Sequence, residues 1–253
     1  MDYDLLVNLA MEMGCVLMES GAEIYRVEES LNRLLGAYGR KDAQVFAIPS
    51  CLIVSLQGDG GRSVTRMSRI PAHGTDIELL ERCNGLCRQL CQQTPPLEEG
   101  FRAVAALRND TKQYSPLQAL FGYALAPAAF TALFGGDLMD SLCAFLCGGL
   151  VGLCLQRGVK WMGRNVFLRT VVCSGIAALL ALILSNLGLG NNVDLITIGT
   201  LMLLVPGVAI TNSMWELVAG DTYSGLSRMA EAILIATAIA LGAAAGLGLS
   251  QLF

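Results

Sequence analysis

The chain has 253 residues, 54% of them hydrophobic and 15% charged, with a mean hydropathy of +0.55. That balance is more apolar and less charged than a soluble domain requires, and it points to a membrane protein. A net charge of −4 and a pI near 5.1 supply no basic stripe for neutralising phosphates, so nucleic acid is not an expected partner. Nine cysteines is an odd number, and several lie inside apolar runs where thiols behave as small hydrophobes, so reduced thiols are expected.

The opening stretch MDYDLLVNLAMEMG carries Asp2, Asp4 and Glu12 where a secretory signal carries Lys or Arg, and no cleaved signal is expected. Leu5, Leu6, Leu9, Met13, Val16, Leu17, Ile24, Val27, Leu31 and Leu34 recur at helical spacing. They predict one long amphipathic helix from about Asp4 to Ala37, with Gly36 and Gly39 as stops. On such a helix Glu19, Glu23 and Arg26 share a face with Glu12 and Ser30, an acidic stripe broken by one cation. The plain alternative is a solvated face whose pairs contribute only about 0.2–0.5 kcal/mol each. Gly21 and Ala22 sit beside these charges. A glycine inside a helix costs about 1 kcal/mol against alanine, so Gly21 signals close approach of another backbone.

QVFAIPSCLIVSLQ (44–57), GDGG (58–61) and RSVTRMSRI (62–70) set β-branched residues around a glycine turn and predict a hairpin. Thr75–Gln93 and Glu98–Leu107 are predicted helices, the second introduced by Pro95-Pro96. Cys83, Cys87 and Cys91 fall on one side of the first of these. With no CxxC pair and His73 the sole histidine, they are expected to be core thiols, and no metal or cofactor is expected. Residues 1–115 are thus expected to form a small α+β domain.

From Pro116 to Phe253 charges almost vanish. Five spans of near 20 residues are predicted, at about Leu117–Phe134, Leu138–Leu155, Val166–Leu187, Leu195–Val218 and Ala230–Leu249. The fold class is therefore an α-helical membrane protein of about five spans (116–253) behind an N-terminal cytosolic α+β domain. Arg157, Lys160 and Arg164 follow the second span and Arg228 precedes the fifth, whereas 135–140 and 186–194 contain no Lys or Arg. The positive-inside rule then puts the N-terminus in the cytosol and the C-terminus outside. Gly148-x-x-x-Gly152 and Gly242-x-x-x-Gly246 suit close helix packing or subunit contact.

Residues 204–231 carry the chemistry expected of a transport site. Pro206 lacks an N–H and interrupts the fourth span, and Gly207 lets the chain bend there. Irregular backbone at membrane depth is tolerated where it faces protein or a watery cavity, and a broken helix presents a positive dipole end to a carboxylate. Thr211, Asn212 and Ser213 add neutral hydrogen-bonding groups, and Glu216, Asp221, Arg228 and Glu231 add charge near the cytosolic mouth. A packing kink satisfied by neighbouring helices is the alternative. Asp194, beside Asn191 and Asn192, is a candidate for an exit gate or a solvated helix cap.

"SGAEIYRVEES" resembles the N-terminal motif of the threonine/serine exporter family. "LVPGVAITNSMWELVAGDTYSGLSRMAEA" (204–232) is similar to that family's membrane motif of Pro-Gly, Asn, Gly-Asp, Ser-Gly, Arg and Glu-Ala, and the hairpin with Arg69 fits between them. Full-length members carry a second membrane module, so the chain resembles the larger subunit of the split, two-component version associated with succinate export. The resemblance implies a small membrane partner subunit, an oligomer, and a small dicarboxylate or hydroxy amino acid as substrate. It also implies a bacterial inner-membrane location. Glu19, Gly21, Glu23 and Arg26 are then expected to gate the cytosolic mouth. Two other functions compete: a membrane-embedded enzyme, for which no nucleophile elbow, phosphate loop or metal motif is present, and a regulatory membrane subunit.

Overall fold

The computed structural model describes residues 2–58, 63–71, 74–110, 114–162 and 165–249, with backbone only for 158–162 and 249. The expected turn residues 59–61, His73 and Arg164 lie outside the described residues, as does the Lys160 side chain. In chain order the elements are α1 (Tyr3–Glu19), α2 (Ile24–Ala37), β1 (Gln44–Ile48), β2 (Cys51–Gln57) and β3 (Ser63–Arg69). Then follow α3 (Ile77–Gln93), α4 (Leu97–Asn109), α5 (Pro116–Leu133), α6 (Leu138–Met162), α7 (Val166–Asn186), α8 (Val193–Leu201), α9 (Gly207–Val218) and α10 (Thr222–Leu249). Packing divides them into two units: Met1–Lys112 with Thr211–Met229, and Gln113–Ile210 with Ala230–Phe253.

In the first unit the expected single helix over Asp4–Ala37 is two helices. Gly21 takes φ +97 just past the α1 cap, and two backbone bonds close the turn, Gly21 N–H to Met18 O and Ala22 N–H to Leu17 O. This is the Schellman stop, in which a left-handed residue satisfies the last carbonyls of a helix, and glycine is the residue that adopts it without strain. The expected close approach is also present: a Cβ on Gly21 would lie 2.5 Å from the Gly74 carbonyl. Nor is α1 amphipathic. Leu6, Leu9, Ala10, Met13, Val16 and Leu17 are all fully or almost fully buried, as suits a helix that is apolar on nearly every face. The amphipathic member is α2, which buries Ile24, Val27, Leu31, Leu34 and Leu35.

The expected hairpin is a three-stranded antiparallel sheet in the order β1-β2-β3. Pro49-Ser50 makes a two-residue turn between Ile48 and Cys51, splitting what reads as one strand; proline has no N–H for a ladder, so it falls at the turn. Leu52, Val54 and Leu56 of β2 alternate inward to the core around α1. Cys83 and Cys87 on α3 join that core, and burial pushes both thiols up to about 12.

In the second unit, both glycine pairs serve internal packing. Gly148 and Gly152 of α6 meet Pro127 and Tyr123 of α5, while Gly242 and Gly246 of α10 meet Val171 and Gly175 of α7. Small residues let backbones approach without a hydrophobic drive from water. Among the described residues four helices are long and apolar enough to cross a membrane: Pro116–Leu133, Leu138–Arg157, Val166–Asn186 and Thr222–Gly248. The expected span over Leu195–Val218 is two short helices, α8 of 9 residues and α9 of 12, parted at 202–206 around Pro206. The last helix starts at Thr222, well before the expected Ala230, so Arg228 and Glu231 lie inside α10 rather than at its entrance.

Candidate functional site

The site forms within the first unit, where the end of α9 and the start of α10 make a helical hairpin. Gly220, at φ +92, stops α9, with Asp221 N–H bonded to Glu216 O. The Asp221 carboxylate then accepts from Ser224 N–H at 3.3 Å and starts α10, so the Gly-Asp pair is a stop followed by a cap. Gly225 keeps the helices close: a Cβ there would lie 2.7 Å from the Leu217 side chain and 2.9 Å from Ser213 O.

This hairpin is inside out by the standards of a soluble protein. Ser213, Glu216 and Ser224 are fully buried, while Met214, Trp215, Val218, Tyr223 and Leu226 are each more than half exposed. Glu216 is the centre of the buried face. Its Oε1 accepts the Ile24 N–H at 3.2 Å and lies 3.2 Å from Arg228 Nε. The Arg228 guanidinium, only 11% exposed, donates from Nη2 to the Ala22 carbonyl at 2.9 Å.

Helix geometry explains why these backbone groups are available. The first N–H groups of a helix have no partner within it, and Glu23 at the α2 cap position contributes no side-chain cap. Glu216 supplies the missing acceptor and sets a negative charge at the positive end of α2. The Ser20–Glu23 turn is held on its other side by Gly74 N–H to Glu19 O and Asp76 N–H to Ser20 O, both 3.0 Å. Glu216 Oε2 and Ser224 Oγ have no hydrogen-bond partner among the described residues, and Arg228 Nε meets Glu216 off the hydrogen-bond line.

The other candidates of the first unit make pairs of their own. Glu19 pairs with Arg108 at 2.9 Å, and Arg108 also holds Glu12 at 3.0 Å. Glu23 pairs with Arg26 at 3.3 Å, and Arg26 lies over the Tyr25 ring. Glu28 accepts from Ala47 N–H at 2.8 Å; its burial raises the carboxyl pKa, and Asp221 adds to the rise. In the second unit Pro206 directly precedes the start of α9 at Gly207, and its carbonyl accepts from the Ile210 N–H. Thr211 and Asn212 follow within the next turn of that helix, and Glu231 is exposed on α10.

Asp194 is exposed in the first turn of α8, and the cap of that helix is Asn192. The acid that matters structurally at this end is Asp140, which sequence reasoning passed over. Only 2% exposed, it accepts from Asn191 N–H at 2.7 Å and Asn192 N–H at 2.9 Å, tying the start of α6 to the turn before α8. Its signal was Asp137-x-x-Asp140, two acids one turn apart at a helix start; Asp137 Oδ1 accepts from Asp140 N–H at 2.8 Å.

A family model described as "Putative threonine/serine exporter" matches residues 8–250. A "Pheromone-regulated membrane protein 10" of Saccharomyces cerevisiae is 27% identical over 93% of this chain and 31% of its own length. A "Probable threonine/serine exporter" of Mycobacterium tuberculosis is 23% identical over 94% of this chain and 45% of its own length. A "Threonine/serine exporter" of Corynebacterium glutamicum is 23% identical over 98% of this chain and 52% of its own length. The chain spans about half, or less, of the length of these relatives. No solved structure matches it.

Proposed function

The chain belongs to the threonine/serine exporter family, and on that premise we propose that it is the larger subunit of a secondary-active exporter in a bacterial inner membrane. The family is one of membrane-spanning exporters rather than enzymes. The proposed cargo is a small carboxylate, either a hydroxy amino acid of the kind named for the relatives or a succinate-like dicarboxylate. A small membrane protein is the proposed partner subunit, as the resemblance to the split, two-component exporters implies. The proposed topology has five spans, with α8 and α9 together making a discontinuous fourth, the N-terminus in the cytosol and the C-terminus in the periplasm.

The observation that carries this reading is the buried Glu216–Arg228 pair. An acid and an arginine buried together are costly to desolvate, and such a pair beside a membrane span suits a substrate or ion pathway. The apolar outer face of the hairpin, with Trp215 and Tyr223 exposed, suits lipid and its interface rather than water. The proposed path comprises Pro206, Gly207, Thr211, Asn212, Glu216, Asp221, Arg228 and Glu231, with Asp194 at its exit. Glu19, Gly21, Glu23 and Arg26 form the proposed cytosolic gate, acting through the Ser20–Ile24 backbone that Glu216 and Arg228 grip. Uptake of labelled threonine and succinate into vesicles holding this chain, with and without the partner, tests the assignment. Accumulation of either solute that depends on both proteins is expected; uptake no greater than in empty vesicles overturns it.

A further inference from the structure

We infer that the Glu216–Arg228 pair is the recognition element for a zwitterionic α-amino acid and opens by exchange: the ligand's carboxylate takes the place of Glu216 on Arg228, and its ammonium takes the place of Arg228 on Glu216. This rests on the reading of the junction as part of the substrate path, and it selects one of the two cargo classes left open there.

Charges in a buried site must balance. Glu216 is fully buried and Arg228 nearly so, and each has spare hydrogen-bonding capacity, Oε2 on the acid and a misaligned Nε on the base. Separating a buried ion pair leaves two uncompensated charges, which is strongly unfavourable unless new partners arrive together. A zwitterion brings one of each sign. A dicarboxylate satisfies Arg228 but sets its second carboxylate against Glu216, and a like charge in a desolvated position is repelled. An N-acylated amino acid satisfies Arg228 and leaves Glu216 bare. The pair is thus complementary to one charge pattern and hostile to the others, which is how specificity arises from a buried polar site.

Competition binding tests this with the full chain in lipid nanodiscs, alone and with its partner, using labelled L-threonine against unlabelled L-threonine, succinate and N-acetyl-L-threonine. The expected result is saturable threonine binding, with the other two at least tenfold weaker. In Glu216→Gln the ratio of threonine to N-acetyl-L-threonine should fall toward one. Because that variant leaves Arg228 unpaired, the double variant Glu216→Gln/Arg228→Gln is made beside it; it carries no charge at either position of the pair and should lose discrimination among all three ligands. Succinate binding as tightly as threonine, or wild-type discrimination in the double variant, overturns the inference while leaving the junction on the path. Absence of binding by all three ligands in both preparations overturns the path assignment itself, and the inference with it.

Discussion

Glu216 accepts the backbone N–H of Ile24 at 3.2 Å from a position 192 residues further along the chain. A helix start without a capping side chain of its own is completed by the carboxylate of a hairpin that the sequence places next to the last span. Arg228 completes the arrangement on the Ala22 carbonyl at 2.9 Å. The pair therefore joins α2, the Ser20–Glu23 turn, α9 and α10 through two side chains.

Removing either charge alone should be the most damaging change to this unit. Arg228→Gln strands a fully buried carboxylate, and breaking a buried pair in this way costs about 3–5 kcal/mol. The double change Glu216→Gln/Arg228→Gln should cost clearly less than the sum of the single changes, giving a coupling of at least about 1 kcal/mol. Thermal unfolding of the four proteins in one detergent measures this, and additive effects would show that the pair does not act as a unit.

Two glycines, one in the turn between α1 and α2 and one inside α2, should respond in opposite directions to alanine. At Gly21 a methyl group meets the Gly74 carbonyl and the backbone is left-handed, so Gly21→Ala should destabilise by more than about 1 kcal/mol. Gly36, inside α2, leaves open space where a methyl group would go, with nothing within 4 Å from another part of the described residues, so Gly36→Ala should stabilise by about 0.4–1 kcal/mol. Melting temperatures of the two variants against wild type provide the comparison.

Asp140 and Asp194 differ in the same informative way. Asp140→Ala leaves the Asn191 and Asn192 N–H groups without their acceptor, at roughly 0.5–1.5 kcal/mol for each part-buried bond. Asp194→Ala, at an exposed position, should change stability by less than about 0.5 kcal/mol. Equal losses in denaturation would contradict the division between a structural acid and a surface one.

The thiols of Cys83 and Cys87 should be inert in the folded protein. With a pKa pushed up to about 12, only about one thiol in ten thousand is ionised at pH 8, and the thiolate is the reacting species. Since that fraction stays small up to pH 9, raising the pH from 7 to 9 should give no measurable labelling at either position by iodoacetamide. Mass spectrometry of the alkylated protein would locate the sites, and brisk labelling at Cys87 would contradict its placement in the core.

Much of the fold was legible where an apolar run met a capping residue. The expected Thr75–Gln93, Leu117–Phe134 and Val166–Leu187 lie within two residues of α3, α5 and α7, whose starts are set by Asp76, Ser115 and Asn165. Periodicity failed at Gly21 because the apolar spacing runs on across the break, and only the Ser-Gly-Ala stop betrays it. It failed again at Pro49, where two strands of one alternation pattern are separated by a turn of two residues. Glu216, Asp221 and Arg228 could be picked out as charges in an apolar setting. Their partners could not, because Ala22 and Ile24 contribute main-chain atoms, which leave no mark in residue type.

Efflux of labelled L-threonine from vesicles holding the chain and its partner, compared between Glu216→Gln/Arg228→Gln and Glu29→Gln, tests the central claim most directly. Glu29 belongs to a surface pair with Arg33, more than half exposed on both sides, so its neutralisation controls for loss of charge as such. The account predicts at least a tenfold loss of efflux in the double variant, at equal protein per vesicle, with Glu29→Gln at the wild-type rate. Wild-type efflux in the double variant would contradict it, because transport would then proceed without the buried pair.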